Sequence, residues 1–558
     1  MRKRSYVLIA SCTLVGLVSW LVAAERLVPI PLERYLDKLK GGWAGQMIGV
    51  SYGAPYEFKS NGKIYDGPIR EWKPEYIENT IHQDDLYVEM TFLQAIEAKG
   101  LDISTREAGW FFRDSKYSLW HANRAARDNL RAGIPAPDSG HPKYNRHADD
   151  IDFQIESDLF GLICPGMPLA AQELSDRFGH IMNYGDGVYG GMFVTSMLAA
   201  AFFEDDIRTI VEVGYHSIPP NSEYGLLVKD ILDCHERYPE DWRGCWRLLE
   251  DKWAQDDICA PGNPFNIDAK LNGGYIAVGL LWGGGDWDKT LEITTRCGQD
   301  ADCNPSNAAG VLGVIGGYGR IPQKYTAGIP DIANQNFSYT DYNFNTLADT
   351  CAKYAIQIIE RNGGKIESRD GREILLIPVQ EPKPPKKLEQ FTDEMVSKYK
   401  PYWEKQEAEA QRKHMESAVK EWDPEWTLVA CGREMDPGRK NSYLGRSNVL
   451  LTHPVDRETP AILERVLKIP KNKSATLRLV VTNHEGMRDS DWELRVKVNG
   501  EVIATERIAR KNGQAVWHTF EYDLSRDAGK KIKVELENAA NDWSFEGGYW
   551  AEAKIEMP

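Results

Sequence analysis

The sequence predicts a multidomain protein in which an all-α domain is followed by a helical linker and an all-β sandwich. Three observations carry this reading. Apolar residues recur at helical spacing from Leu32 to about Ala355, prolines and charges replace them over residues 376–424, and a period of two takes over from Trp426. The 558 residues allow several domains at roughly 150 residues each. The 42% hydrophobic and 27% charged shares are those of a folded globular chain, which excludes general disorder and a polytopic membrane protein. Against 83 Asp+Glu stand 67 Lys+Arg, leaving a formal charge of −16. No nucleic-acid partner is expected from that balance, because phosphate backbones are bound chiefly by basic side chains.

At the amino terminus, Arg2-Lys3-Arg4 precede an apolar run from about Tyr6 to Val22, and Val22-Ala23-Ala24 supply small residues before Glu25. This pattern reads as a secretory signal peptide over residues 1–24. An uncleaved anchor is the competing reading, since a spanning helix needs roughly 20 apolar residues. A lipoprotein site at Cys12 is a lesser alternative. The expectation is a secreted or periplasmic protein with no membrane span once the signal is removed. Of nine cysteines, eight follow the signal: Cys164, Cys234, Cys245, Cys259, Cys297, Cys303, Cys351 and Cys431. They are too sparse to form a disulfide scaffold, and without a Cys-x-x-Cys pair they make neither a zinc ribbon nor a thioredoxin-like site.

The all-α domain is expected over residues 25–375. Leu36, Leu39, Trp43, Met47 and Val50 share one helical face, while Gly42, Gly45 and Gly49 give a small face suited to close helix contact. Further helices are expected around Leu86–Glu97, Met192–Phe203, Leu226–His235 and Ala308–Ile315. The linker, 376–424, begins with Pro382, Pro384 and Pro385 and continues as an exposed charged helix that Pro401 should break or restart. The sandwich, 425–558, shows Trp492, Leu494, Val496 and Val498 alternating with polar residues into an Asn499-Gly500 hairpin turn. Leu477–Val481 and Ile532–Leu536 read as further strands.

Two acidic clusters in the helical part carry potential chemistry. In Gln83-Asp84-Asp85 the aspartates begin an apolar helix, where they serve either as caps or, if buried, as ligands of a cation. In Gly298-Gln299-Asp300-Ala301-Asp302-Cys303-Asn304 the spacing suggests a calcium loop, but Pro305 replaces the required Gly and Val311 the required Glu, so that reading fails. Pro305 marks a helix's first turn instead, with small residues Ala308, Ala309, Gly313 and Gly317 following. Two acidic helix starts about 215 residues apart can together enclose one or two Mg²⁺ ions through oxygen ligands. A third residue, Glu57, lies in a Gly/Pro-bearing loop after the first helix.

These features resemble the ADP-ribosylglycohydrolase family, of the dinitrogenase reductase-activating glycohydrolase type. The first helix and loop from Gly42 to Glu57, the Gln83-Asp84-Asp85 triplet, and Gly298 to Asn304 with Gly310, Gly313, Gly317 and Ile321-Pro322 match its motifs. The segment Asp152–Glu156 through Pro165-Gly166 occupies the place of a middle motif. The resemblance covers roughly residues 32–350. It implies an all-α hydrolase with a binuclear Mg²⁺ (or Mn²⁺) centre, ligated by Asp84 and Asp85 from one side and Asp300 and Asp302 from the other. It further implies acid/base or positioning work for Glu57, metal positions at Gln83 and Cys303, and substrate positions at Asp152, Glu156 and Asn304. Gln83 and Cys303 depart from the Thr or Ser usual there, and a thiol suits hard Mg²⁺ poorly. No basic cluster compensates a diphosphate, so ribose or another furanosyl glycoside is the expected small-molecule or glycan substrate in place of ADP-ribosylated protein.

The carboxy-terminal part is similar to galactose-binding-like sandwiches, with Trp492, Trp517, Trp543 and Trp550 available either as a sugar platform or as core. A terpene-synthase-like diphosphate lyase fits Asp84-Asp85-Leu86-Tyr87-Val88-Glu89 only loosely and leaves Asp300–Asn304 without a role. A non-catalytic carbohydrate-binding protein with a degenerate metal site is the other reading. The sequence specifies no oligomeric state.

Overall fold

A computed structural model describes residues 27–255, 257–258, 262–485, 490–541, 543 and 545–558; the signal-peptide reading of residues 1–24, Cys12 and Cys259 lie outside them. The chain divides into two units between residues 400 and 401.

The first unit is helical, and its central member is the Leu32–Gly53 helix, buried on nearly every side from Leu39 onward. Its close partner is the Cys303–Gly316 helix. A β-carbon placed on Gly41 would lie 2.1 Å from the Gly313 carbonyl oxygen; on Gly45, 2.1 Å from that of Ala309; on Gly49, 2.2 Å from that of Pro305; on Gly53, 1.9 Å from that of Ala301. One chain steps forward four residues while the other steps back four. The two helices therefore run antiparallel with backbones in contact, an approach that only glycine permits at these positions. Gly42, expected on this face, instead meets the Leu162 and Val314 side chains. The other expected helices form as Asp84–Lys99, Asp186–Ala201 and Glu223–Arg237.

This helical domain also carries a small antiparallel sheet of order β1-β3-β2, made of Leu27–Pro31 (β1), Lys365–Arg369 (β2) and Arg372–Pro378 (β3). The β2–β3 turn is Asp370-Gly371, both residues at positive φ (51° and 77°), the pair a tight hairpin favours. Residues 379–392 then lie along the helices: Gln380 N–H donates to the Gly166 carbonyl (2.9 Å), and Glu389 N–H to the Tyr189 hydroxyl (2.7 Å).

The second unit is a pair of antiparallel sheets. Their strands are Thr427–Ala430 (β4), Gly438–Tyr443 (β5), Arg446–Thr452 (β6), Ala461–Lys468 (β7), Thr476–Thr482 (β8), Asp491–Val498 (β9), Glu501–Ala509 (β10), His518–Asp523 (β11), Lys531–Ala539 (β12) and Gly548–Glu556 (β13). The sheet orders are β10-β9-β12-β7-β4 and β11-β8-β13-β6-β5. The predicted hairpin forms, with Asn499 and Gly500 at φ 53° and 84°. Trp492 and Trp550 are fully buried 5.2 Å apart, each with its indole N–H bonded to Thr482 or Thr452. Both are core, not platform. Trp517 is half-buried and donates to the Leu444 carbonyl, and Trp543 meets His453 edge-on.

Two linker expectations are corrected. The Asp393–Trp422 helix runs on through Pro401, because a missing N–H removes one ladder bond without ending a helix held elsewhere. Its later half is exposed on one side only: Met415, Ala418, Val419 and Trp422, spaced at three and four residues, belong to the core of the second unit. Among the described residues no helix is long and apolar enough to cross a membrane.

Candidate functional site

The glycine register determines where the acidic residues meet. Because Gly53 lies against Ala301, the loop leaving the first helix runs beside the segment that opens the Cys303–Gly316 helix. Two hydrogen bonds join them: Phe58 N–H to the Gln299 carbonyl (2.9 Å) and Gln299 N–H to the Ser60 carbonyl (3.3 Å). Phe58 and Gln299 both hold positive φ, 51° and 54°, a conformation non-glycine residues keep only where surroundings impose it. Glu57 is thus fixed next to Asp300 and Asp302.

The second acidic helix start reaches the same place. Cys303 Sγ lies 3.2 Å from Asp85 Oδ2 and 3.8 Å from Asp302 Oδ1. The donor atoms of Asp300, Asp302 and Cys303 lie within 4.8 Å of one another. Asp85, Asp300 and Asp302 are buried, Asp84 is half-buried and Glu57 is exposed. Burial and then the Asp302 charge push Asp84 up to about 6 and raise Asp85 strongly. Asp300 is raised by burial, then by Asp302, with Asp85 and Glu57 adding to it. Desolvation, then Asp302 and Asp84, bring Glu57 up to about 7.

Buried carboxylates that raise one another in this way are costly without a cation. Asp85 Oδ1 and Asp300 Oδ1 are buried with no hydrogen-bond partner. Hard oxygen donors with unfilled lone pairs suit Mg²⁺ or Mn²⁺, so the residues fit such ions. Cys303 fits differently. Burial, then the Asp300 and Asp302 charges, raise its thiol, which donates to Asp85 Oδ2. Gln83 caps the Asp84–Lys99 helix without a side-chain capping bond and is half-buried.

The remaining expected residues stand behind this cluster. Asp152 accepts the N–H groups of Ala122 (3.1 Å) and Asn123 (3.0 Å) through its two oxygens, anchoring the start of the His121–Arg131 helix. Glu156 is fully buried, accepts from the Asn123 amide through Oε1 and has no partner at Oε2. Burial, then the charges of Asp152 and Asp84, raise it. Asn304 is fully buried and donates to Asn272 Oδ1 (3.0 Å), which also accepts the Asp300 N–H (3.3 Å).

Several neighbours were not foreseen. Asn123 and Asn272 position acidic residues but carry no local motif. Tyr87, Tyr117 and Tyr339 form an aromatic trio with centroid separations of 4.8, 5.3 and 5.8 Å. Tyr87 is raised by burial and then by Asp84 and Glu156, which puts the trio beside the acids, and Tyr339 is 65% exposed. Only Tyr87, three residues after Asp84, had a signal in the sequence.

The family model described as ADP-ribosylglycohydrolase matches residues 31–358. A 122-residue stretch is 29% identical to an uncharacterized protein of Archaeoglobus fulgidus, covering 19% of this chain and 30% of that relative's length. Among solved structures, an ADP-ribosylglycohydrolase-related protein complex aligns at 13% identity over 58% of this chain and 99% of its own, with a TM-score of 0.38. The CBM22-1 xylan-binding domain of Paenibacillus barcinonensis Xyn10C aligns at 16% identity over 24% of this chain and 85% of its own, with a TM-score of 0.18. The family match spans more than half of the sequence and contains Glu57, Asp84, Asp85, Asp300 and Asp302, and the chain belongs to the ADP-ribosylglycohydrolase family.

Proposed function

We propose that this protein is an exported, divalent-metal-dependent glycohydrolase that cleaves an N- or O-glycosidic bond at the anomeric carbon of ribose or a related furanosyl sugar. Family membership supports a glycohydrolase. The observation that carries the finer reading is the meeting of Glu57, Asp84, Asp85, Asp300 and Asp302, drawn from three distant stretches of chain, at one place. Asp84, Asp85, Asp300 and Asp302 are the residues that would hold two Mg²⁺ or Mn²⁺ ions. Bound there, such ions would orient sugar hydroxyls, acidify a water and offset charge as the anomeric bond breaks.

The chain's own groups do the rest. Glu57, exposed beside the buried acids, would hold or release a proton at the scissile bond; a carboxyl near neutrality suits that exchange. Cys303 and Asn272 fix Asp85 and Asp300 by hydrogen bonds. Tyr339 offers an exposed ring for stacking. The sequence offers no basic cluster to pair with a substrate diphosphate, which favours a neutral glycoside.

The test is hydrolysis of a panel of ribosyl and other furanosyl glycosides, with ADP-ribosyl-arginine alongside, in Mg²⁺ and in EDTA. Release of free sugar from a furanosyl glycoside, abolished by EDTA and lowered at least about 100-fold by Asp302→Asn, is the expected result. Turnover of ADP-ribosyl-arginine alone would discard the substrate assignment, and EDTA-resistant turnover the metal dependence.

A further inference from the structure

We propose that His121, His147 and Asp150 form a separate metal site that takes one transition-metal dication of the Zn²⁺ class. His147 Nδ1 lies 2.8 Å and His121 Nδ1 3.4 Å from the same atom, Asp150 Oδ2, and all three donor atoms fall within 4.8 Å of one another. A tetrahedral Zn²⁺ with ligand bonds of about 2.0–2.1 Å needs donors about 3.3 Å apart. The two measured separations straddle that length, so modest side-chain rotation admits the ion. Two imidazoles and one carboxylate select Zn²⁺ or Co²⁺ over Mg²⁺, the reverse of the all-oxygen cluster at Asp84 and Asp300.

The three residues are held for the purpose by their backbones. Asp150 is fully buried; its carbonyl accepts from the Asn183 amide (2.7 Å) and its N–H donates to the His147 carbonyl (3.1 Å). The His147 N–H donates to Asn145 Oδ1 (3.0 Å). His121 carries φ +39°, a left-handed value a histidine keeps only under constraint, and the next two N–H groups are tied to Asp152. The two imidazoles retain 28% and 21% side-chain exposure, leaving a way in for a fourth, water ligand. Behind them, Asp149 and Asp268 bring carboxylate oxygens within 4.8 Å of Asp150, partly offset by Lys270 at 3.4 Å from Asp268. The Phe265 ring touches both His121 (5.9 Å) and Phe58 (5.1 Å), so the site lies across one aromatic ring from the Glu57 loop.

This inference does not depend on the proposed glycosidase activity. Full-length protein, stripped with chelator and then held in excess Mg²⁺, is titrated with Zn²⁺ by equilibrium dialysis and with Co²⁺ by visible absorption. The expected result is one ion per chain that Mg²⁺ does not displace. Its affinity should fall more than about tenfold in His121→Ala and His147→Ala and stay unchanged in Asp302→Asn and Cys303→Ser. His147→Asn, which keeps a donor for Asp150 but removes the imidazole, should fold by circular dichroism and still bind weakly. No stoichiometric ion, undiminished binding in the folded His147→Asn protein, or a thiolate-to-cobalt band lost in Cys303→Ser would overturn the proposal.

Discussion

Cys303 shows how far one atom governs this site. Its Sγ donates to Asp85 Oδ2 at 3.2 Å, where a hydroxyl would supply the same donor and also a hard oxygen. Cys303→Ser is therefore expected to keep the protein folded and to tighten Mg²⁺ binding several-fold, measured by calorimetry on the metal-stripped chain; weaker binding would mean that the sulfur itself is a ligand. At this scale the acidic residues were legible because burying Asp84-Asp85 at the head of an apolar helix demands compensation. The roles of Asp152 and Asn304 were not. Whether a carboxylate caps a distant helix or faces a cavity depends on Ala122 and Asn123, and on Asn272 for the amide, partners that no local spacing reveals.

Between elements, the glycine register positions the acids, so it should be intolerant of a single methyl group. Gly49→Ala would drive a β-carbon to 2.2 Å from the Pro305 carbonyl, a backbone atom with nowhere to go. The expected cost is about 3 kcal/mol with loss of metal affinity. Gly316→Ala, whose new carbon meets only Arg320 Cβ at 3.5 Å, should change stability by less than about 1 kcal/mol, both read from denaturant melts. The segment 379–392 gives a pH test. Desolvation pushes the Glu389 carboxyl up, but hydrogen bonds from His180 and Lys387 outweigh it and bring it down to about 2. Desolvation lowers His180, yet the Glu389 bond and Asp176 win and raise it. Glu389 thus stabilises docking above its ordinary 4.5 and loses it as pH falls toward about 2. His180 contributes fully below its ordinary 6.5 and loses its share as pH rises through its raised value. Amide exchange at Glu389, corrected for intrinsic rates, should show greatest protection between pH 4.5 and 6.5 and less once the pH has risen past the raised His180 value. Small residues every four positions announced a close helix contact in the sequence, but its partner needed the antiparallel pairing across some 250 residues. The Asp370-Gly371 hairpin was written locally, and it was masked by the helical pattern on the amino-terminal side.

Over the whole molecule, each unit has its own core, one helical and one of paired sheets. The change of period near Trp426 made that division legible, because helix and strand bury opposite patterns of the same residue types. What the sequence hid was that Met415–Trp422 belongs with the sheets, since a helix rich in Glu and Lys reads as solvent-exposed until its sparse apolar stripe meets a partner. In the helical unit, the two acidic helix starts are proposed to form one dication centre. Anomalous diffraction from crystals of the full chain grown with Mn²⁺ tests it most directly. Two Mn²⁺ peaks bounded by Asp84, Asp85, Asp300 and Asp302, absent in Asp302→Asn crystals, are the result the proposed centre predicts. An anomalous map with no density among those four carboxylates at saturating Mn²⁺ would contradict it.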